Sequence, residues 1–264
     1  MITRAVIGLL AELAGRPEWG RAMLAEAEQI SDPRARRRFA RGCLWALALS
    51  VPAGVGTLLV AGLSSLTVVV VALVRYPGIV SGAGTWVAVG LFSIVVVGYV
   101  TIGAGLAARL GRGGPTGQML ASGAVIAGVW MVALVASGTP AGISIPLLAL
   151  APCVALILGW RATRRSTSTT IGLRCVGLAA LAGGLGLFLV WGGETVILAG
   201  RPYDPGMVRD FATSGAPDLA TYAVGDSLGS GMMLLLLVPL VSLVAGATGA
   251  MAAAHWPRTS HTDA

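Results

Sequence analysis

The chain has no lysine: all 18 of its basic residues are arginine. That excludes a Schiff-base lysine, a lysine nucleophile and a phosphate loop of the kind that needs a lysine. Charge of either sign is scarce. Charged residues make up 11% of the sequence, where a water-soluble domain carries about a quarter. Cysteine is rarer still. Cys43, Cys153 and Cys175 are scattered, form no C-x-x-C pair and lie outside the longest expected outer loop. A disulfide framework and a cysteine zinc site are therefore not expected, and the three thiols read as small apolar residues in or near helices. The histidines, His255 and His261, fall near the C-terminus with only Asp263 at ligand spacing, which makes no metal site. There is no H-E-x-x-H sequence, no pair of acids within the apolar stretches, and no serine, histidine and acid set on one side of them. The sequence predicts neither an enzyme nor a bound cofactor.

Hydrophobic residues are what is abundant, at 56%, with a mean hydropathy of +0.84. Such a chain cannot cover a surface that faces water. Its apolar runs are continuous, near 55–74, 85–108, 118–138, 144–160, 175–198 and 228–254. About 20 residues of helix cross a hydrocarbon core of roughly 30 Å, whereas barrel strands show ten-residue alternation. The expected fold is all-α: a bundle of six transmembrane helices over 51–254, preceded by an N-terminal amphipathic helical segment over 1–50 and followed by a short tail over 255–264. The lipid bilayer is its first partner, and the sequence leaves room for an oligomer.

The N-terminal segment differs from the rest. Ile2, Val6, Leu9, Leu10 and Leu13 recur at helical spacing. Glu12 interrupts the apolar run from Ala5 to Ala14 and no small-residue cleavage site follows, so it does not read as a cleaved signal peptide. A second helix is expected from Pro17, with Trp19, Met23, Ala27 and Ile30 along one face. Ser31-Asp32-Pro33 is a restart signal, a capping side chain followed by proline at the first helical position. The third helix opens with Arg34, Arg36, Arg37, Arg38 and Arg41 around Phe39. Two readings of this prefix stand. It is either a surface that meets headgroups or a cytoplasmic protein, through Trp19, Met23, Arg36, Arg37, Arg38 and Phe39, or a charge cluster that orients the first span.

Arginine placement predicts orientation. With the N-terminus inside, only Arg75, Arg201 and Arg209 of the 18 arginines fall outside. Arg109, Arg112, Arg161, Arg164, Arg165, Arg174 and Arg258 join the prefix on the inner side. Both termini are expected in the cytoplasm of a bacterial plasma membrane. Tyr76 and Trp86 at outer ends, and Trp160 and Trp256 at inner ends, agree with an aromatic belt. The net charge of +7 follows from this topology and calls for no nucleic acid.

The stretch of about 199–227 is expected as an outer loop, with Asp204, Asp210, Asp218 and Asp226 facing Arg201 and Arg209, and Tyr203, Phe211 and Tyr222 available to cap the bundle. Pairs of small residues four apart, Ala124 with Gly128, Ala179 with Gly183 and Gly246 with Ala250, allow close helix packing in lipid. Pro146, Pro152 and Pro239 free backbone carbonyls inside the spans. Gly111 to Gly117 has the look of a phosphate loop but no lysine and no preceding strand, so it reads as a cytoplasmic turn.

Glu194, in Trp191-Gly192-Gly193-Glu194, is the one acid expected within a span. An ionisable group at membrane depth is a functional candidate by default, as a proton or cation site. Four residues from the end of its helix it is also within about 6 Å of the surface, where it is free to snorkel or pair with Arg75 or Arg201.

The segment from Trp19 to Glu26, followed by Arg36-Arg37-Arg38-Phe39-Ala40-Arg41-Gly42-Cys43, resembles the region ahead of the spans in uncharacterised multi-pass membrane proteins of actinobacteria. It is similar in style to the short permease-prefix segments of export-type permeases. The resemblance covers the prefix alone and carries no catalytic residues. It implies an inner-membrane protein associated with transport or regulation. This chain lacks the large outer domain of the better-known export permeases. Three functions follow as expectations: a membrane subunit or accessory of a transport system, a small-solute or proton-coupled transporter that uses Glu194, and a membrane-bound regulator whose prefix binds a soluble signalling protein.

Overall fold

The computed structural model describes residues 7, 8, 11, 17–50, 53–81, 84–110, 116–136, 141–198 and 205–256. Arg112 and its turn, Arg201, Tyr203, Asp204, Arg258, His261 and Asp263 lie outside the described residues, as do most of residues 1–16. Every regular element among the described residues is helical.

The prefix holds α1 (Pro17–Gln29) and α2 (Pro33–Ser50). α2 starts where the restart signal places it. The Asp32 carboxylate accepts from the backbone N–H groups of Arg34 at 3.0 Å and Ala35 at 3.1 Å, and Pro33 fills the first position, which needs no N–H. The two helices share a small core in which Ile7, Ala11 and Cys43 are buried and Met23, Leu24, Phe39 and Leu44 pack against them. Gly20 sits so close to this core that an added Cβ would fall 2.6 Å from that of Ala11.

The bundle comprises α3 (Ala53–Arg75), a 3-10 turn (Pro77–Ser81), α4 (Thr85–Leu110), α5 (Thr116–Ala136), α6 (Ala141–Ser166), α7 (Thr169–Leu198), α8 (Pro205–Ser214) and α9 (Leu219–His255). Four of them, α3, α4, α7 and α9, are long and apolar enough to cross a membrane. The sequence reading has six. The other two stretches are also helical, but the apolar run of α5 is the shorter Ala121–Leu134, and α6 carries Arg161, Arg164 and Arg165 in its last turns. Val60, Leu63, Val74, Ile94 and Leu240 are all at least 60% exposed. A cluster of outward apolar side chains on this scale has lipid, and not water, as its solvent.

α7 is the axis of the bundle. It packs on α3, α4, α5, α6 and α9, and 67% of its apolar window is buried, against 22–33% for the other three membrane-length helices. Its small residues explain this. Lipid gives helices no hydrophobic reason to associate, so close approach of backbones is what holds them. Ala179 and Gly183 meet Gly123 of α5, where an added Cβ at Gly123 would lie 2.7 Å from the Ala179 carbonyl oxygen. Gly246 of α9 meets Gly159 of α6 in the same manner. Ala124 and Gly128 point outward and are exposed, so the contact on α5 belongs to their neighbour Gly123.

The expected outer loop is shorter than the sequence suggests. α8 occupies its middle, and α9 begins at Leu219 instead of near 228. Asp218 causes the early start: its carboxylate accepts from the Thr221 N–H and the Thr221 hydroxyl, each at 2.8 Å. These bonds hold the Asp218 carboxyl below the usual carboxylate range. The segment is seated on the α3–α4 connection, since a Cβ on Gly78 would meet Pro217 at 2.6 Å and Thr221 at 3.0 Å. The Phe211 and Tyr222 rings, 6.1 Å apart, join α8 to α9.

Candidate functional site

Four helix ends meet at one pole of the bundle. α4 and α6 finish there, and α5 and α7 begin there. Between them is a cavity of about 680 Å³. Arg109 reaches it from the last turn of α4, Arg161 and Arg165 from α6, and Arg174 from the second turn of α7. Arg161 and Arg165 are four apart and therefore share a helix face. Gln118, Ser122 and Ser166 add polar groups, and no carboxylate is among the described lining residues. The rest of the described lining is apolar and includes Leu110, Met119, Leu158 and Ile171.

The α6–α7 turn fixes two sides of this cavity. Ser166 donates to the Ala162 carbonyl at 2.7 Å, and the Ser168 hydroxyl accepts from the Ile171 N–H at 3.5 Å. Thr167 between them has φ 56, a left-handed conformation that a β-branched residue adopts only under constraint. On the far side of the hairpin, Gly172 leaves room for the Thr163 side chain. Beside the cavity the Arg164 guanidinium lies 5.3 Å from the centre of the Trp160 ring, which meets Trp256 edge-on at 5.8 Å.

The residues singled out from sequence are elsewhere. Glu194 is exposed near the far end of α7. Twenty residues separate it from Arg174, a rise of about 30 Å, which is the thickness of the hydrocarbon core. The two ionisable groups of α7 thus flank the apolar region, and Glu194 lies at its edge. In the prefix, Arg36, Arg37 and Arg38 are exposed together with Arg34 and Arg41. Trp19 is 43% exposed, whereas Met23 and Phe39 are spent on the prefix core. Cys43 and Cys175 are buried, Cys153 is exposed, and all three are free thiols. Burial pushes the Cys43 thiol up, with Glu26 adding to it.

The basic cavity was not singled out from sequence. Its signal is present only in part: the sequence reading assigns Arg109, Arg161, Arg165 and Arg174 to one side of the membrane, but nothing in the sequence says that they converge on one space. Comparison with known protein families, curated proteins and solved structures finds no match to this chain.

Proposed function

We propose that this protein is a six-span component of a bacterial plasma membrane, with both termini cytoplasmic, that serves as a membrane subunit or accessory of a transport system. The prefix is its contact with a cytoplasmic partner. The observation that carries this reading is the separation of tasks within the prefix. Its core uses Ile7, Ala11, Cys43, Met23 and Phe39, while Arg34, Arg36, Arg37, Arg38 and Arg41 remain exposed. A row of guanidinium groups that takes no part in the core is free to meet an acidic surface, each contributing about 1 kcal/mol near anionic headgroups and steering encounter with an acidic protein.

The reading as a transporter driven through Glu194 has less support. The buried polar side chains among the described residues are Ser65, Thr163, Thr221 and Ser242, whereas Glu194 is exposed. A membrane-bound regulator would use the same prefix and differ only in the partner.

Mild-detergent capture of the tagged protein from its own membrane tests the proposal. The full chain is expected to retain a soluble partner, an ATP-hydrolysing subunit on the transport reading. The triple change Arg36→Gln, Arg37→Gln and Arg38→Gln is expected to lose it while the protein stays membrane-inserted and monodisperse. Equal recovery of the partner by the triple variant would remove the prefix from the account.

A further inference from the structure

We propose that the arginine-lined cavity between α4, α5, α6 and α7 is a binding site for a phosphate-bearing ligand with an apolar body. Three observations converge on that class.

The first is charge. Arg109, Arg161, Arg165 and Arg174 share one cavity with no carboxylate among its described lining residues. Between Asp32 and Glu194 the chain contains no acid at all, so the helices that build the cavity supply no counter-charge near it. Glu194 is about 30 Å away along α7. Helix dipoles do not decide the sign, because two N-termini and two C-termini meet here and roughly cancel. The guanidinium groups decide it. Like charges held together repel, and an anion that enters relieves that repulsion.

The second is geometry. Guanidinium presents a planar fork of N–H donors that matches phosphate in two parallel hydrogen bonds. Phosphate has enough oxygens to engage several forks at once, which a single carboxylate does not. The Gln118 amide supplies further donors at the same rim, whereas the Ser122 and Ser166 hydroxyls donate to the Gln118 and Ala162 carbonyls.

The third is size and polarity. About 680 Å³ falls within the range of about 300–1,000 Å³ common to small-molecule sites, and is far more than one phosphate fills. Leu110, Met119, Leu158 and Ile171 form the remainder of the wall. The ligand therefore carries an apolar portion beside its anionic head. An anionic phospholipid has this chemistry, as basic pockets between membrane helices commonly recognise such headgroups. A dissolved phosphate ester has it too. The strained turn at Thr167 fits a site in which Arg165 and Arg174 must be held at fixed separation.

The test uses the full chain in phosphatidylcholine nanodiscs, with thermal unfolding as the readout. In one arm phosphatidylglycerol is added to the bilayer; in the other, inorganic pyrophosphate is dissolved in the buffer. A ligand that binds only the folded protein raises the midpoint by mass action. Stabilisation by phosphatidylglycerol alone assigns the lipid source, and stabilisation by pyrophosphate identifies the phosphate head as sufficient. Arg161→Gln and Arg174→Gln are each expected to weaken apparent affinity about tenfold or more, as loss of a charged hydrogen-bond pair does. The double variant is expected to lose the response. Arg164→Gln, whose guanidinium lies over Trp160 and does not line the cavity, is expected to respond as the native chain does. If the double variant does not fold, the two single variants carry the test. No stabilisation in either arm, or a full response from the arginine variants, overturns the proposal.

Discussion

Gly159→Leu is expected to prevent the bundle from assembling. On α6, a Cβ at residue 159 would meet the carbonyl oxygen of Gly246 on α9, and a Cβ at Gly249 on α9 would meet the carbonyl oxygen of Leu156 on α6. The two glycines interlock the same pair of helices from opposite sides. The obstructing atoms are backbone, so no side chain can rotate away and the helices themselves must part. Overpacking a core costs about 1–3 kcal/mol. Here the added groups also break the close approach that holds helices together in lipid, so the cost is expected to exceed about 3 kcal/mol, a large share of the 5–15 kcal/mol typical of a folded protein. The yield of a monodisperse peak in detergent size-exclusion chromatography measures it. Gly128→Leu is the control, because nothing lies within 4 Å of a Cβ there; it is expected to behave as the native chain. A native-like peak and midpoint for Gly159→Leu would mean that α6 and α9 do not pack in this way.

Tyr99→Phe is expected to cost about 1–2 kcal/mol through one hydrogen bond. Pro239 lies inside α9 and has no N–H, so the Leu235 carbonyl, four residues earlier, loses its ordinary helical donor. The Tyr99 hydroxyl of α4 supplies one, donating to Leu235 O at 2.7 Å. The proline ring fits where α7 has Gly184, whose added Cβ would lie 2.6 Å from Pro239 Cγ. Three helices thus meet at this proline. A double-mutant cycle separates the contributions. Replacing Pro239 by alanine restores an N–H at position 239, which then serves Leu235 in the ordinary helical manner. Tyr99→Phe is expected to be nearly neutral in that background, with a coupling energy of about 1 kcal/mol or more. Equal costs in both backgrounds would show that the tyrosine acts through packing and not through the freed carbonyl.

The helices were legible in the sequence because their signals are local. Asp32 and Pro33 announce α2, and the apolar runs announce the helices of the bundle. Glu194 is exposed and lies four residues before Leu198, the last described residue of its helix. The start of α9 was hidden. Gly225 and Asp226 read as loop; the Asp218 cap is a local signal for the helix start, but the burial of Thr221, Ala223, Val224 and Leu228 that carries the helix through these residues is reported by no local pattern. The prefix core was half legible: the periodicity of Met23 is visible, but not that Phe39 and Cys43 would turn toward Ile7 and Ala11. The basic cavity was not legible, since Arg109, Arg161, Arg165 and Arg174 come from three helices whose convergence depends on how α4, α6 and α7 pack.

Orientation is the claim on which the rest depends, because it sets the face of the membrane to which the prefix and the arginine cavity belong. Thiol labelling with a membrane-impermeant maleimide on intact cells measures it directly. The background is a chain with Cys43, Cys153 and Cys175 replaced by alanine, into which single cysteines are placed at exposed positions at the two poles. Thr213→Cys, on α8, is expected to label on intact cells. Thr170→Cys, at the start of α7 beside the cavity, is expected to label only after the membrane is opened. The reverse pattern, or labelling of both positions from outside, would contradict the account.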